Sequence, residues 1–262
     1  MECSEFARRI LFADTLEGKF FFPEGGLEAL SDENPGEARA WKEPSRPVEL
    51  AISPRRKRVK FPHPDNFGDP EMAVRALHTF GNHELMALEL MAWALLAYPD
   101  APKGFRAGLV RLIGDEQRHL KLYMDRIEEL GAKFGDLPVN DHFWRCAPEL
   151  TTPLKWVCAM NLTFEQGNLD HAPYFEEAFQ RCGDEKSAQI LEIIFEDEIH
   201  HVGFGARWLQ HYRSGGKDSF QTYLENLTFH NEPGRGRGEC FDAEARRRAG
   251  LDEAFIAGMK SS

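Results

Sequence analysis

Long apolar runs are missing from this chain. Nowhere in its 262 residues does a stretch approach the roughly 18 apolar residues that span a bilayer, so no membrane partner is expected. Residues 1–22 mix acidic and basic side chains and lack the apolar block of a secretion signal, and a cytoplasmic location is expected. Cysteine is scarce and scattered. Cys3, Cys146, Cys158, Cys182 and Cys240 are odd in number and form no C-x-x-C pair, which excludes a zinc cluster or a disulfide framework and fits a reduced compartment. Cys158 reads as a small buried apolar residue. Positive charge is also in deficit: 32 Lys and Arg stand against 43 Asp and Glu, a formal net charge of -11. That argues against a general nucleic-acid binder, whose phosphate contacts favour a basic surface. The one basic run, Arg55-Arg56-Lys57-Arg58-Val59-Lys60, reads as a solvated loop or a partner for an acidic body. Its functional alternative is a contact for a phosphate-bearing substrate.

What is present is helical periodicity, and enough apolar residues (42%) for one sizeable core. Residues 1–70 are rich in Pro, Gly and charge, and read as an irregular N-terminal arm packed on the body. A short opening helix is expected over Glu5 to Thr15, and Phe20, Phe21 and Phe22 can anchor the arm. Between 71 and 213, four helices are predicted. The first, 71–98, carries the stripe Leu77, Gly81, Glu84, Leu88, Met91, Leu95, in steps of four and three. The second, 103–131, carries Phe105, Leu109, Leu112, Glu116, His119, Tyr123, Ile127 and Leu130. The third, 151–181, carries Cys158, Leu162, Glu165, Leu169, Ala172 and Phe179, with a kink expected at Pro173. The fourth, 185–213, carries Leu191, Ile194, Glu198, His201, Gly205 and Trp208. The connections run short, long, short. A long crossover between the second and third of four helices is the ferritin-like topology. Residues 214–262 read as a C-terminal helical extension, with helices at 218–229 and near Asp242 to Met259.

Acids in apolar stripes carry the functional argument. Asp115-Glu116-Gln117-Arg118-His119 and Asp197-Glu198-Ile199-His200-His201 are both Asp-Glu-x-x-His, 82 residues apart. Glu and His three apart project from one helix face. A single such pair reads more readily as a solvated face. Four carboxylates in four apolar lines do not, because burying them without cations costs too much. Glu84 to Glu116 spans 32 residues and Glu165 to Glu198 spans 33, so the chain repeats its own pattern. The expectation is a two-metal centre inside a four-helix bundle. Glu116 and Glu198 would bridge; Glu84 with His119 would complete one metal, and Glu165 with His201 the other. Hard oxygen donors with imidazole suit iron, with manganese or a mixed pair as alternatives. Asp115 and Asp197, each four residues before its His, are placed to hold the imidazole nitrogen that does not bind metal, and are not ligands. Glu196 and His200 read as exterior, and His83 as a packing residue. For His171, Tyr123, Tyr174 and Trp93 core packing is the default reading and lining of a pocket the alternative.

The order Glu, Glu-x-x-His, Glu, Glu-x-x-His resembles that of the ferritin-like diiron carboxylate proteins. Asp115 to His119 is similar to the Asp-Glu-x-Arg-His of bacterial multicomponent monooxygenases. The whole chain resembles a bacterial ferritin-like family of uncharacterised function (domain of unknown function 455) more closely still. The stretches that carry this are His83-Glu-Leu-Met-Ala-Leu-Glu-Leu-Met-Ala-Trp-Ala-Leu, Asp115-Glu-Gln-Arg-His, Leu130-Gly-Ala-Lys-Phe-Gly-Asp, Asp197-Glu-Ile-His-His-Val and Ala243-Glu-Ala-Arg-Arg-Arg-Ala-Gly-Leu, spread over most of 70–252. The family is related to a tRNA-modifying diiron hydroxylase, among others. Many enzymes of this type carry Glu-Ala-Arg after the third-helix Glu; here Glu165-Gln166-Gly167-Asn168 departs from that.

These readings imply a non-haem di-metal oxidoreductase that activates dioxygen to oxidise a small molecule or a modified nucleotide. No electron-transfer motif is visible, so a separate reductase is expected, and a homodimer by resemblance. The alternative is an iron-handling ferroxidase or a peroxide-detoxifying protein. The long arm and tail would obstruct a ferritin cage, and rubredoxin-like cysteine pairs are missing. A third reading is a partner-binding module that keeps metal only for stability.

Overall fold

The computed structural model describes residues 1–52, 59–213, 215–228 and 231–262. Arg55 to Arg58, the core of the basic run, lies outside the described residues; Lys60 is described and exposed. Among the described residues the chain is helical without strands, and a parallel bridge joins Glu2 to Ser31. No described helix is long and apolar enough to cross a membrane. All five cysteines are free thiols, three of them buried, Cys158 included. The chain forms two compact units, Met1–Ala147 and Pro148–Ser262.

The first unit is built on a helix pair. Helix α1 (Cys3–Leu11) and the short α2 (Leu16–Lys19) precede α3 (Pro70–Ala97) and α4 (Lys103–Glu129). Asp69 caps α3 by accepting the Glu71 N–H at 2.9 Å, with Pro70 at the first helical position. Residues 98–102 hold two prolines and turn the chain back so that α4 packs along α3. Gly131, at φ 86°, ends α4 and lets the Ala132 N–H reach the Ile127 carbonyl at 3.1 Å. Every residue from Glu84 to Leu96 is buried, a wider apolar surface than the single stripe predicts. The reason is α1, which lays Phe6, Ala7, Ile10 and Leu11 against α3. The opening helix thus runs from Cys3 to Leu11 rather than from Glu5 to Thr15.

A buried ionic cluster ties the arm to α3. The Glu89 carboxylate accepts from Arg46 (3.0 and 2.7 Å) and from the Trp144 indole at 2.9 Å, and the Lys19 ammonium stands 3.0 Å away. Burial pushes Glu89 up, but Arg46 and Lys19 outweigh it and hold the carboxyl below its ordinary value. At Lys19 burial wins, and the ammonium sits below its ordinary value despite Glu89. Lys19 spreads its charge over the carbonyls of Ile10, Leu11 and Ser45.

The second unit holds another long pair. One continuous helical run, 153–181, consists of α5 (Pro153–Ala159), a π turn (Met160–Glu165) and α6 (Gln166–Arg181). Helix α6 continues past Pro173; the departure from α geometry falls earlier, at the π turn. Asp184 then caps α7 (Glu185–Tyr212), which packs along α6. The tail adds α8 (Ser219–Glu225), α9 (Ala243–Arg248) and α10 (Glu253–Ser261). The single helix expected near Asp242 to Met259 is two, because Gly250 at φ 83° stops α9 and Asp252 caps α10. Arg246 fastens this tail to α6 by a buried two-pronged contact with Asp170 at 2.8 and 2.9 Å. The same carboxylate accepts the N–H groups of Gly238 and Asp242.

Candidate metal centre

In the first unit, α3 supplies Glu84, and α4 supplies Glu116 and His119 from one face. The three are 4%, 1% and 0% exposed, and one ligating atom of each lies within 4.8 Å of the others. His119 Nδ1 stands 3.6 Å from Glu84 Oε2. Oxygens on opposite sides of one cation stand about 4.2 Å apart, so the trio needs little closing to hold an ion. Burial alone would raise the Glu84 carboxyl. Hydrogen bonding with His119 and Glu116, together with the His119 and His83 imidazoles, outweighs burial and holds it below the ordinary value. Two carboxylates and an imidazole, buried together, form a donor set that can hold a metal ion. Asp115, one residue before Glu116, is half-buried and pairs with Arg118 at 3.2 Å.

In the second unit the corresponding residues are Glu165, at the end of the π turn, and Glu198 and His201 on α7. They are 3%, 1% and 0% exposed. His201 Nδ1 lies 3.6 Å from Glu198 Oε2, three residues along one helix face. At the π turn, side chains hydrogen-bond to backbone carbonyls. The Thr163 hydroxyl donates to the Cys158 carbonyl at 2.7 Å and meets the Tyr223 hydroxyl at 2.9 Å. The Gln166 carboxamide donates to the Leu162 carbonyl at 3.2 Å. Gly205 lets α7 come close: a Cβ there would sit 2.5 Å from that of Asn161 and 3.0 Å from the Leu162 side chain. Asp197 is half-buried beside Glu198.

Two residues not singled out from the sequence border these acids. The Asn161 carboxamide donates to Glu165 Oε2 at 2.5 Å, and that of Asn168 donates to Glu198 Oε1 at 2.8 Å. Asn168 stands three residues after Glu165 and therefore on its face. Asn161 gave no comparable signal, since its position depends on the π turn.

The exterior reading of Glu196 and His200 agrees with the structure: both are exposed, and Glu196 pairs with Arg248. His83 stacks on Phe143 at 5.1 Å. Trp93 and Tyr123 are core residues, the Trp93 indole donating to the Trp41 carbonyl at 3.0 Å. Tyr174 and His171 are half-buried.

A protein of Haemophilus influenzae described as uncharacterized is 26% identical over 172 residues, which cover 62% of this chain and 59% of that protein. The chain therefore spans about three-fifths of the length of the curated relative it matches. No solved structure matches it significantly. A family described as protein of unknown function (DUF455) matches residues 10–257, almost the whole chain, and the chain belongs to that family.

Proposed function

We propose that this chain is a ferritin-like, four-helix di-metal oxidoreductase that uses dioxygen to oxidise or hydroxylate a small molecule or a modified nucleotide. The observation that carries this is the burial of six groups, Glu84, Glu116, His119, Glu165, Glu198 and His201, at 0–4% exposure in two helix pairs of matching pattern. Four interior acids of that kind require a compensating charge. The first trio is close enough to share an ion. Two metal ions, iron first and manganese second, would be held by these six groups. When bound in reduced form they supply electrons to dioxygen.

The chain's own part is to bind, orient and exclude water. Glu84, Glu116 and His119 hold one ion, and Glu165, Glu198 and His201 the other. Asp115 and Asp197 steady the imidazoles from outside. The apolar stripes around the acids keep bulk water from the reacting centre. A separate reductase returns the electrons, and the cytoplasm is the proposed setting, with a homodimer as the proposed assembly. The iron-handling alternative shares the ligands and differs in the product.

Elemental analysis of protein purified from iron-replete cells tests the first step. About two ions of iron or manganese per chain are expected, falling in a Glu116→Gln variant. Metal-free protein that takes up neither ion overturns the proposal. Oxygen uptake coupled to an organic product, found by comparing metabolites of a deletion strain, favours the oxygenase. A ferric mineral as the sole product favours the alternative.

A further inference from the structure

We propose that Asn161 and Asn168 are positioning residues: their carboxamides fix the orientation of the Glu165 and Glu198 carboxylates for metal binding. This rests on the metal reading above. Each carboxamide engages one oxygen of its carboxylate, at 2.5 Å for Glu165 Oε2 and 2.8 Å for Glu198 Oε1. In Glu198 the engaged oxygen is not the one beside the imidazole; His201 Nδ1 lies 3.6 Å from Oε2. The hydrogen bond and the imidazole-facing side therefore fall on different oxygens. A neutral N–H donor holds a carboxylate in place without adding charge, and it cannot compete with the acid as a metal ligand through that hydrogen.

A role in packing does not account for Asn161. The residue is fully buried, and its Oδ1 makes no hydrogen bond among the described residues. Turning the amide over would set that oxygen against the Glu165 carboxylate, so the donor is the end that faces the acid. A leucine of similar shape would avoid the unmatched carbonyl. The unmatched carbonyl is a cost that a leucine would not carry, whereas the N–H end meets the Glu165 carboxylate. Its position is set by the π turn and by Gly205, where a Cβ would come within 2.5 Å of the Asn161 Cβ. Asn168 acts across the helix pair, from α6 to a ligand on α7.

The test is an anaerobic titration of metal-free protein with Co(II), read by the visible absorption of bound cobalt and by calorimetry. Melting of the metal-free protein is recorded alongside. Wild type is expected to take up two ions per chain. In Asn161→Leu/Asn168→Leu, the ion held by Glu165, Glu198 and His201 should bind about 10–100-fold more weakly, a loss larger than any fall in the melting point of the metal-free form accounts for. Asn168→Ala, at a half-buried position, should show a weakening in the same direction. Unchanged binding of both ions in both variants overturns the inference and leaves the metal reading intact. So does a metal-free melting point that falls in step with affinity, which would make the two residues merely structural. Wild type that takes up no cobalt overturns the metal reading, and this inference with it.

Discussion

Glu84 and Glu89 lie five residues apart on α3, both buried, and their surroundings separate two uses of an interior acid. Glu89 is compensated by Arg46 and Lys19, far upstream in the arm. Glu84 faces another carboxylate and an imidazole. The second arrangement was legible in the sequence, because its partners recur at helical spacing in apolar lines. The first was not, since nothing local links Glu89 to Lys19. Burial of an acid therefore does not identify a metal ligand until its partners are known. His78 illustrates the same dependence on distant contacts. Its Nε2 accepts the Gly135 N–H at 2.9 Å and its ring lies 4.8 Å from that of Phe134, which pins the start of the long connection to α3. Burial lowers the imidazole from 6.5 to about 4. On acidification the unfolded chain takes up this proton first, so the contribution is complete above pH 6.5 and is lost as the pH falls toward 4. The amount is about 3 kcal/mol at most. Urea unfolding across this pH window should show that loss, and His78→Gln, which keeps an acceptor for Gly135, should flatten it. A variant with the wild-type slope would assign the loss to other groups.

Four long helical segments were readable from period and punctuation, and their ends fall close to the expected ones: Pro70–Ala97, Lys103–Glu129, 153–181 and Glu185–Tyr212. What the pattern missed is the geometry inside the third. A π turn adds to the turn without disturbing the run of apolar residues, so an α-periodic reading passes over it, and Pro173 draws attention to the wrong place. The turn depends on contacts from elsewhere: Tyr223 on α8, and the close approach at Gly205 on α7. Gly205→Ala tests this. Alanine is favoured over glycine inside a helix by about 1 kcal/mol. A Cβ 2.5 Å from that of Asn161 forces the two backbones apart, at about 1–3 kcal/mol for overpacking. The steric cost should win, and calorimetry should show a lower melting temperature together with loss of one bound metal per chain. A stabilised variant with full metal content would mean that the approach is not tight.

For the whole molecule, family membership and the all-helical class were legible while the reaction was not, because a fold does not fix its chemistry. The N-terminal cluster around Glu89 and the tail contact of Arg246 with Asp170 add charge to the interior of each unit, where their own partners balance it. Metal removal should therefore act selectively. A ligand bound only by the folded state stabilises it by about 2.7 kcal/mol at a hundred times its dissociation constant. For a chain of 262 residues this corresponds to a melting shift of roughly 5–10 °C. Chelation should lower the melting temperature by that amount, and iron or manganese should restore it in proportion to the logarithm of their concentration. Glu116→Gln should respond to neither treatment fully. Its metal-free form should match or exceed the wild type in stability, since it buries one acid fewer. The Glu89 and Asp170 clusters hold their charge balance without a metal, so chelation should leave intact the hydrogen-exchange protection of the amides around them while loosening those around Glu84 and Glu198. Uniform loss of protection would point to a metal that supports the fold as a whole rather than a centre kept for chemistry.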